Sequence, residues 1–192
     1  MPVKKTDWQG RVVFALIASA VLSLGHFATV PESDEYHRED WPHWVRNGSC
    51  QNTRTQLLVQ RSDGPVRYKN QKRCQVVAGK WRDAYTQKWL LASKDIEVDH
   101  VVPLYYAHNH GGKDWSRAKK EAFANDYDNL RLTSHTPNSE KSAKGPKEWL
   151  PPTREAWCDY GTAWQNITKQ YGLKVDWQDE RAIHVLLKEC VG

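Results

Sequence analysis

No two of the four cysteines, Cys50, Cys74, Cys158 and Cys190, stand in a CxxC pair. The close knuckles of a structural zinc site are therefore missing. There is no internal repeat and no sign of a second domain. Nor is the chain poor enough in apolar residues for wholesale disorder, at 39% of 192 residues. It is long enough for one domain with a hydrophobic core. Without a metal role, the cysteines are either four buried thiols or two disulfides, with three possible pairings. An oxidising compartment favours disulfides. Cys50 with Cys74 and Cys158 with Cys190 is the preferred pairing, because each closes a local loop.

The first thirty residues fit such a compartment. MPVKKTDWQGR is charged, VVFALIASAVLSL is apolar, and GHFATVPESDEY turns polar. This is the pattern of a signal sequence or an N-terminal membrane anchor over 1–30. The expected location is outside the cell or in a periplasm, or at the membrane if the leader is retained. Without that segment the formal charge falls from +5 to +3, a mild bias towards polyanionic partners. Ten tryptophans supply large apolar areas and read mainly as packing residues.

A polar lead-in over 31–49 precedes the folded part, which is expected over 50–192. RTQLLVQ (54–60) is a helix or a strand; periodicity does not decide so short a run. CQVVAGKW and RDAYTQKWL suggest two strands joined through Gly79. IEVDHVV reads as a strand that Pro103 ends. YYAHNHGGKDW reads as a loop, residues 115–126 as a helix, and YDNLRLTSH as a turn and short strand. Asn138 is placed to begin a helix that Gly145-Pro146 stops. Two helices close the chain: 156–172, interrupted at Gly161, and 177–190, with Ala182, Val185, Leu186 and Cys190 on one side.

Asp99-His100 at the end of a strand is the main chemical feature. A carboxylate is a hard oxygen ligand suited to Mg²⁺, and a neutral imidazole can take a proton from water. Those are two requirements of phosphodiester hydrolysis. Asn138 offers a neutral oxygen ligand, and Asn129 could orient the histidine. Lys141, Lys144 and Lys147 bring positive charge. The plain alternative is a surface Asp-His pair beside a capped helix with a solvated lysine face.

DHVVPL, FANDYDNLRL, NSEK and KGPKEWLPP taken in order resemble the HNH endonuclease family of DUF1524 or GmrSD C-terminal-like type, within the His-Me finger nucleases. The resemblance implies an α+β fold with a ββα-metal core and additional helices and short strands. It implies Asp99 and Asn138 as ligands of one divalent ion, Mg²⁺ or Mn²⁺, His100 as the base that activates water, and Asn129 as a brace. Lys141, Lys144 and Lys147 match basic positions assigned to phosphate, and Arg54 an arginine in phosphate or structural contact. The literal triplet His108-Asn109-His110 is not the family motif. The implied function is a metal-dependent endonuclease of low sequence specificity, since no DNA-reading helix or recognition domain is evident. Its substrate is DNA, with RNA as a second possibility, and it acts as a monomer. Two alternatives remain: a non-catalytic nucleic-acid or cell-envelope binding module, and a zinc hydrolase using His100, His108, His110 and His135.

Overall fold

The structure is a computed structural model that describes Met1 and residues 35–46 and 48–190. Apart from Met1, the expected leader lies outside the described residues. Among those residues no helix is long and apolar enough to cross a membrane.

The ambiguous run after Cys50 is a helix, α1 (Thr53–Gln60). A cap decides what periodicity did not: the Asn52 side chain accepts from the Thr55 amide at 3.0 Å. Leu57 and Leu58 turn inward against an antiparallel sheet of β1 (Arg67–Tyr68), β2 (Val76–Arg82) and β3 (Trp89–Ala92). Contrary to the sequence reading, Gly79 does not join two strands. It lies inside β2, where the register with β3 slips between Ala78 and Trp81. A Cβ there would fall 2.6 Å from the Trp81 ring, so the glycine makes room for that buried indole. The chain reverses instead between β2 and β3, where one Asp83 oxygen accepts from the Tyr85 and Thr86 amides at 2.9 and 3.1 Å.

A second, two-stranded sheet pairs β4 (Glu97–His100) with β5 (Leu130–Thr133), setting His100 opposite Leu130 and Asp99 opposite Arg131. The segment between these strands is more ordered than its sequence suggested. Contrary to the expectation from sequence, Pro103 does not end β4: the strand stops at His100, and Pro103 instead precedes a helical turn, α2 (Leu104–Ala107), whose Ala107 amide donates to the Pro103 carbonyl at 2.9 Å. A wide π-type turn over His108–Gly112 follows, with Gly111 at φ 112°. Then comes α3 (Arg117–Ala124), capped by Ser116. Directly after β5 runs α4 (His135–Lys141). Asn138 is thus mid-helix, not at its start, and the helix ends at Ser142 (φ 49°) before reaching Gly145. The order β4, β5, α4 forms a ββα unit within an α+β fold.

Two helices complete the chain, α5 (Trp157–Tyr171) and α6 (Trp177–Lys188). Gly161 does not interrupt α5. A Cβ on it would stand 2.5 Å from a Leu186 methyl, so its role is the close crossing with α6. On α6 the buried side chains are Asp179, Ile183 and Leu186, whereas Val185 is 52% exposed. The disulfides join Cys50 to Cys74 and Cys158 to Cys190, as expected.

The ββα unit sits between two cores. Ile96, Leu130 and Leu132 pack with Leu57 and Trp81; Val101 and Val102 pack with Tyr106, Phe123 and Trp164. The lead-in is irregular, as expected, yet it is not merely a tether. Trp41 has no solvent exposure and packs its ring against Trp115 and Phe123.

Candidate active site

Alternation along β4 puts Glu97 and Asp99 on one face. His100, at the strand end, lines the same cleft as Asp99 because the chain bends away at Val101. The cleft holds about 430 Å³ and is also lined by Arg38, Leu104, Tyr105 and Asn138. A larger cavity of about 650 Å³ between α5 and α6 shares no lining residue with it.

Asp99 is nearly buried. Its Oδ2 accepts from the Tyr85 hydroxyl at 2.6 Å and faces Lys141 Nζ at 2.9 Å. Burial, reinforced by the Asp99 charge, pushes the Tyr85 hydroxyl well above its usual range, so it stays a donor. Both contacts fall on Oδ2. The other oxygen has no hydrogen bond among the described residues and is the natural one to meet a cation.

His100 is held by its Nε2, 2.9 Å from the Ala124 carbonyl. A carbonyl only accepts, so Nε2 carries the proton and Nδ1 keeps the lone pair. Burial pushes the ring's pKa down to about 3, so it is neutral at ordinary pH. Trp44 lies parallel to the ring, 5.9 Å away between centroids, from a backbone at φ 58°.

Asn129 is fully buried and binds backbone. The Val102 amide donates to its Oδ1 at 2.8 Å, and its Nδ2 donates to the Val102 carbonyl at 3.2 Å. It fixes the chain just after His100; the ring itself is held by Ala124. Asn138 donates through Nδ2 to Glu97 Oε2. A carboxylate only accepts, so the amide must turn its nitrogen to Glu97 and its oxygen away. That hydrogen bond is the main cause of Glu97's lowered pKa, followed by its contact with His135 at 2.8 Å.

The expected phosphate cations fare differently. Lys141 is no surface cation: it is fully buried, and its Nζ donates to the His100 carbonyl at 2.7 Å beside Asp99. Burial pushes its pKa down and the Asp99 carboxylate pushes it back. Arg54 makes structural contacts, donating through Nη2 to the Ser93 and Ile96 carbonyls at 3.0 and 2.7 Å. Lys144 is exposed and reaches the Glu140 carbonyl. Lys147 turns to α6, 3.1 Å from Gln178 and 3.5 Å from Asp176. None of these four lines the cleft; Arg38, from the lead-in, does.

Sequence reading missed Arg38, Tyr85 and Glu97. Glu97 had a signal, two residues before Asp99 on the same strand face. Tyr85 and Arg38 had none, since only tertiary packing brings them in. The zinc alternative finds no support: among the described residues no three His, Cys, Asp or Glu side chains are placed to share a metal. His110 instead stacks on Tyr106 at 3.7 Å.

Comparison with known proteins settles the family. Residues 57–184 match the model of the GmrSD restriction endonucleases' C-terminal domain. The chain belongs to that family. The match includes β4, β5 and α4, and so every residue of the Asp99–His100–Asn129–Asn138 set. A related protein of the same kind of length, an uncharacterized secreted protein of Arthroderma benhamiae, is 34% identical over 160 residues, covering 82% of this chain and 76% of its own. A secreted relative and two disulfides fit an exported protein. The family points to a nuclease-related function, and an α+β fold with a ββα unit is compatible with an HNH-type core.

Proposed function

We propose that this GmrSD-family chain is a divalent-metal-dependent endonuclease that hydrolyses phosphodiester bonds of DNA, with RNA as a second substrate, and with little sequence preference. The observation that carries the reading is the state of His100. Its Nε2 is tied to a buried carbonyl, which leaves a neutral imidazole with a free Nδ1 lone pair in a cleft shared with Asp99 and Asn138.

The donor set suits a hard cation. Asp99 offers an oxygen without a hydrogen bond, and Asn138 an amide oxygen turned from Glu97; both are the oxygen type that Mg²⁺ and Mn²⁺ prefer. Such an ion, when bound, would screen the phosphate and stabilise the leaving oxygen. In this reading His100 Nδ1 takes the proton from the attacking water. Ala124 keeps the ring in the right tautomer, and Asn129 holds the chain that carries it. Tyr85 and Lys141 keep the Asp99 carboxylate aimed. Arg38 supplies the exposed positive charge for a phosphate.

Plasmid nicking with Mg²⁺, with Mn²⁺ and with EDTA tests this reading. Cleavage should need the ion, and His100→Ala should lose about 10²–10⁴-fold in turnover while Mn²⁺ still binds. Parental turnover by folded His100→Ala protein would sink the assignment. DNA retention without cleavage under either ion would favour a binding module instead.

A further inference from the structure

Positive charge is concentrated away from the cleft. Residues 61–95 hold nine of the chain's 28 lysines and arginines and three of its 23 acids, a net +6 where the whole chain has +5. The rest of the chain is therefore at −1. One of the three acids, Asp83, is buried with its carboxylate committed to hydrogen bonds. This segment is the three-stranded sheet and its connections.

The sheet has one covered face and one open face. Trp81 is fully buried, so its neighbours Lys80 and Arg82 emerge on the other side. The register sets Trp89 of β3 opposite Arg82. The Trp89 ring is 46% exposed, with Lys80 Nζ 4.2 Å and Arg82 Cζ 5.1 Å from its centroid. Leu91 follows on the same face at 62% exposed. Lys80 also meets Asp63 at 2.7 Å, in a pair open to solvent and so readily exchanged for another anion. A half-exposed indole with a lysine and an arginine over its ring, both on exposed side chains able to swing to an anion, matches the two things a nucleic-acid strand presents, flat bases and regularly spaced phosphates.

We propose that this sheet face binds single-stranded nucleic acid, with a base stacked on Trp89 and the flanking phosphates on Lys80 and Arg82. The site rests on the nuclease reading and gives the enzyme a second, non-catalytic hold on its substrate class. None of its residues lines the cleft. It is nevertheless rigidly joined to it: Asp83, at the end of β2, accepts from the Ser134 amide and hydroxyl at 2.9 and 2.7 Å at the start of α4. A strand held on the sheet is held in fixed relation to the catalytic groups. Any polyanion would use the cations, but only a nucleic acid would use the indole face.

The test uses the full chain with His100→Ala, so that bound substrate survives. Fluorescence anisotropy of a short labelled thymidine oligomer is followed across a salt series. Trp89→Ala should weaken binding by about tenfold, and Trp89→Phe should recover part of that loss. Lys80→Gln with Arg82→Gln should flatten the log–log salt slope by about 1.4, two phosphate contacts on a single strand. With heparin as the probe, the double cation variant should bind more weakly and Trp89→Ala should bind as its parent does. Parental affinity for the oligomer in Trp89→Ala overturns the proposal, even if the cation variant is weakened. A separate arm keeps the nuclease reading distinct. With His100 intact, Trp89→Ala should turn over bis(p-nitrophenyl) phosphate with Mn²⁺ at the parental rate. A parent protein that hydrolyses no phosphodiester defeats the nuclease reading without touching the anisotropy result.

Discussion

Lys141 is the residue whose environment most changes its meaning. Its ammonium is buried between the Asp99 carboxylate and the His100 carbonyl, one turn of α4 beyond Asn138. It therefore aligns the strand end that carries the acid and the base. Removing one partner of a buried ion pair leaves the other uncompensated, a loss of about 3–5 kcal/mol. Lys141→Met should lower the thermal midpoint accordingly. Under the proposed mechanism, Mn²⁺ should restore part of the loss, because the ion would replace the missing charge beside Asp99. Thermal unfolding with and without Mn²⁺ checks both points; equal deficits in the two conditions would count against an ion at Asp99.

Asp83 acts at the scale of elements. It closes the reversal between β2 and β3 and grips the junction of β5 and α4, accepting from Thr133 Oγ1 at 3.0 Å as well as from Ser134. Burial alone would raise its pKa, but the hydrogen bonds from Ser134, Tyr85 and Thr86 outweigh it and hold it below 3.8. A folded pKa below the unfolded one contributes stability above the unfolded value, and that stability is lost as pH falls through the folded value. Asp83→Asn keeps the shape but removes the ionisation. It should therefore be less stable than the parent at neutral pH, and the gap should close below about pH 4. Urea midpoints measured from neutral to acid pH provide the check. At the crossing of α5 and α6, Gly161→Val should cost about 1–3 kcal/mol by overpacking against Leu186. The same urea series reads it; an unchanged midpoint would mean the crossing has slack.

At the scale of the molecule, the described residues are held by two covalent links, one near the start of the folded part and one near its end. Cys50–Cys74 ties the entry to α1 to the loop before β2, and Cys158–Cys190 ties the start of α5 to the end of α6. They close 24 and 32 residues of separation, and links of that size typically add about 2–4 kcal/mol each. Paired serine variants at either link should lower the guanidinium midpoint by similar amounts. Reductant should lower the parent's midpoint and leave a four-serine variant unchanged. A parent insensitive to reductant would argue that the bridges do not limit stability.

The sequence alone determined what local pattern can carry. Asp99-His100 before Pro103 marked a strand end bearing an acid and a base. The helix read over 115–126 was legible from its spacing and forms over Arg117–Ala124, and the cysteine pairing was legible from loop closure. The ordered motifs were specific enough to indicate the family. Tertiary structure decided whatever depended on partners distant in sequence. Lys141 looks like any surface lysine until α4 docks on β4 and hides it. Gly79 and Gly161 look like breaks until Trp81 and Leu186 are seen to need their missing side chains. The lead-in looks polar, yet Trp41, Tyr36 and Trp44 pack it onto the fold. Arg38 lines the cleft, while Tyr85 and the Ala124 carbonyl reach Asp99 and His100 from two other segments. Hydrogen bonds and burial are set by distance in space, which a pattern along the chain does not encode.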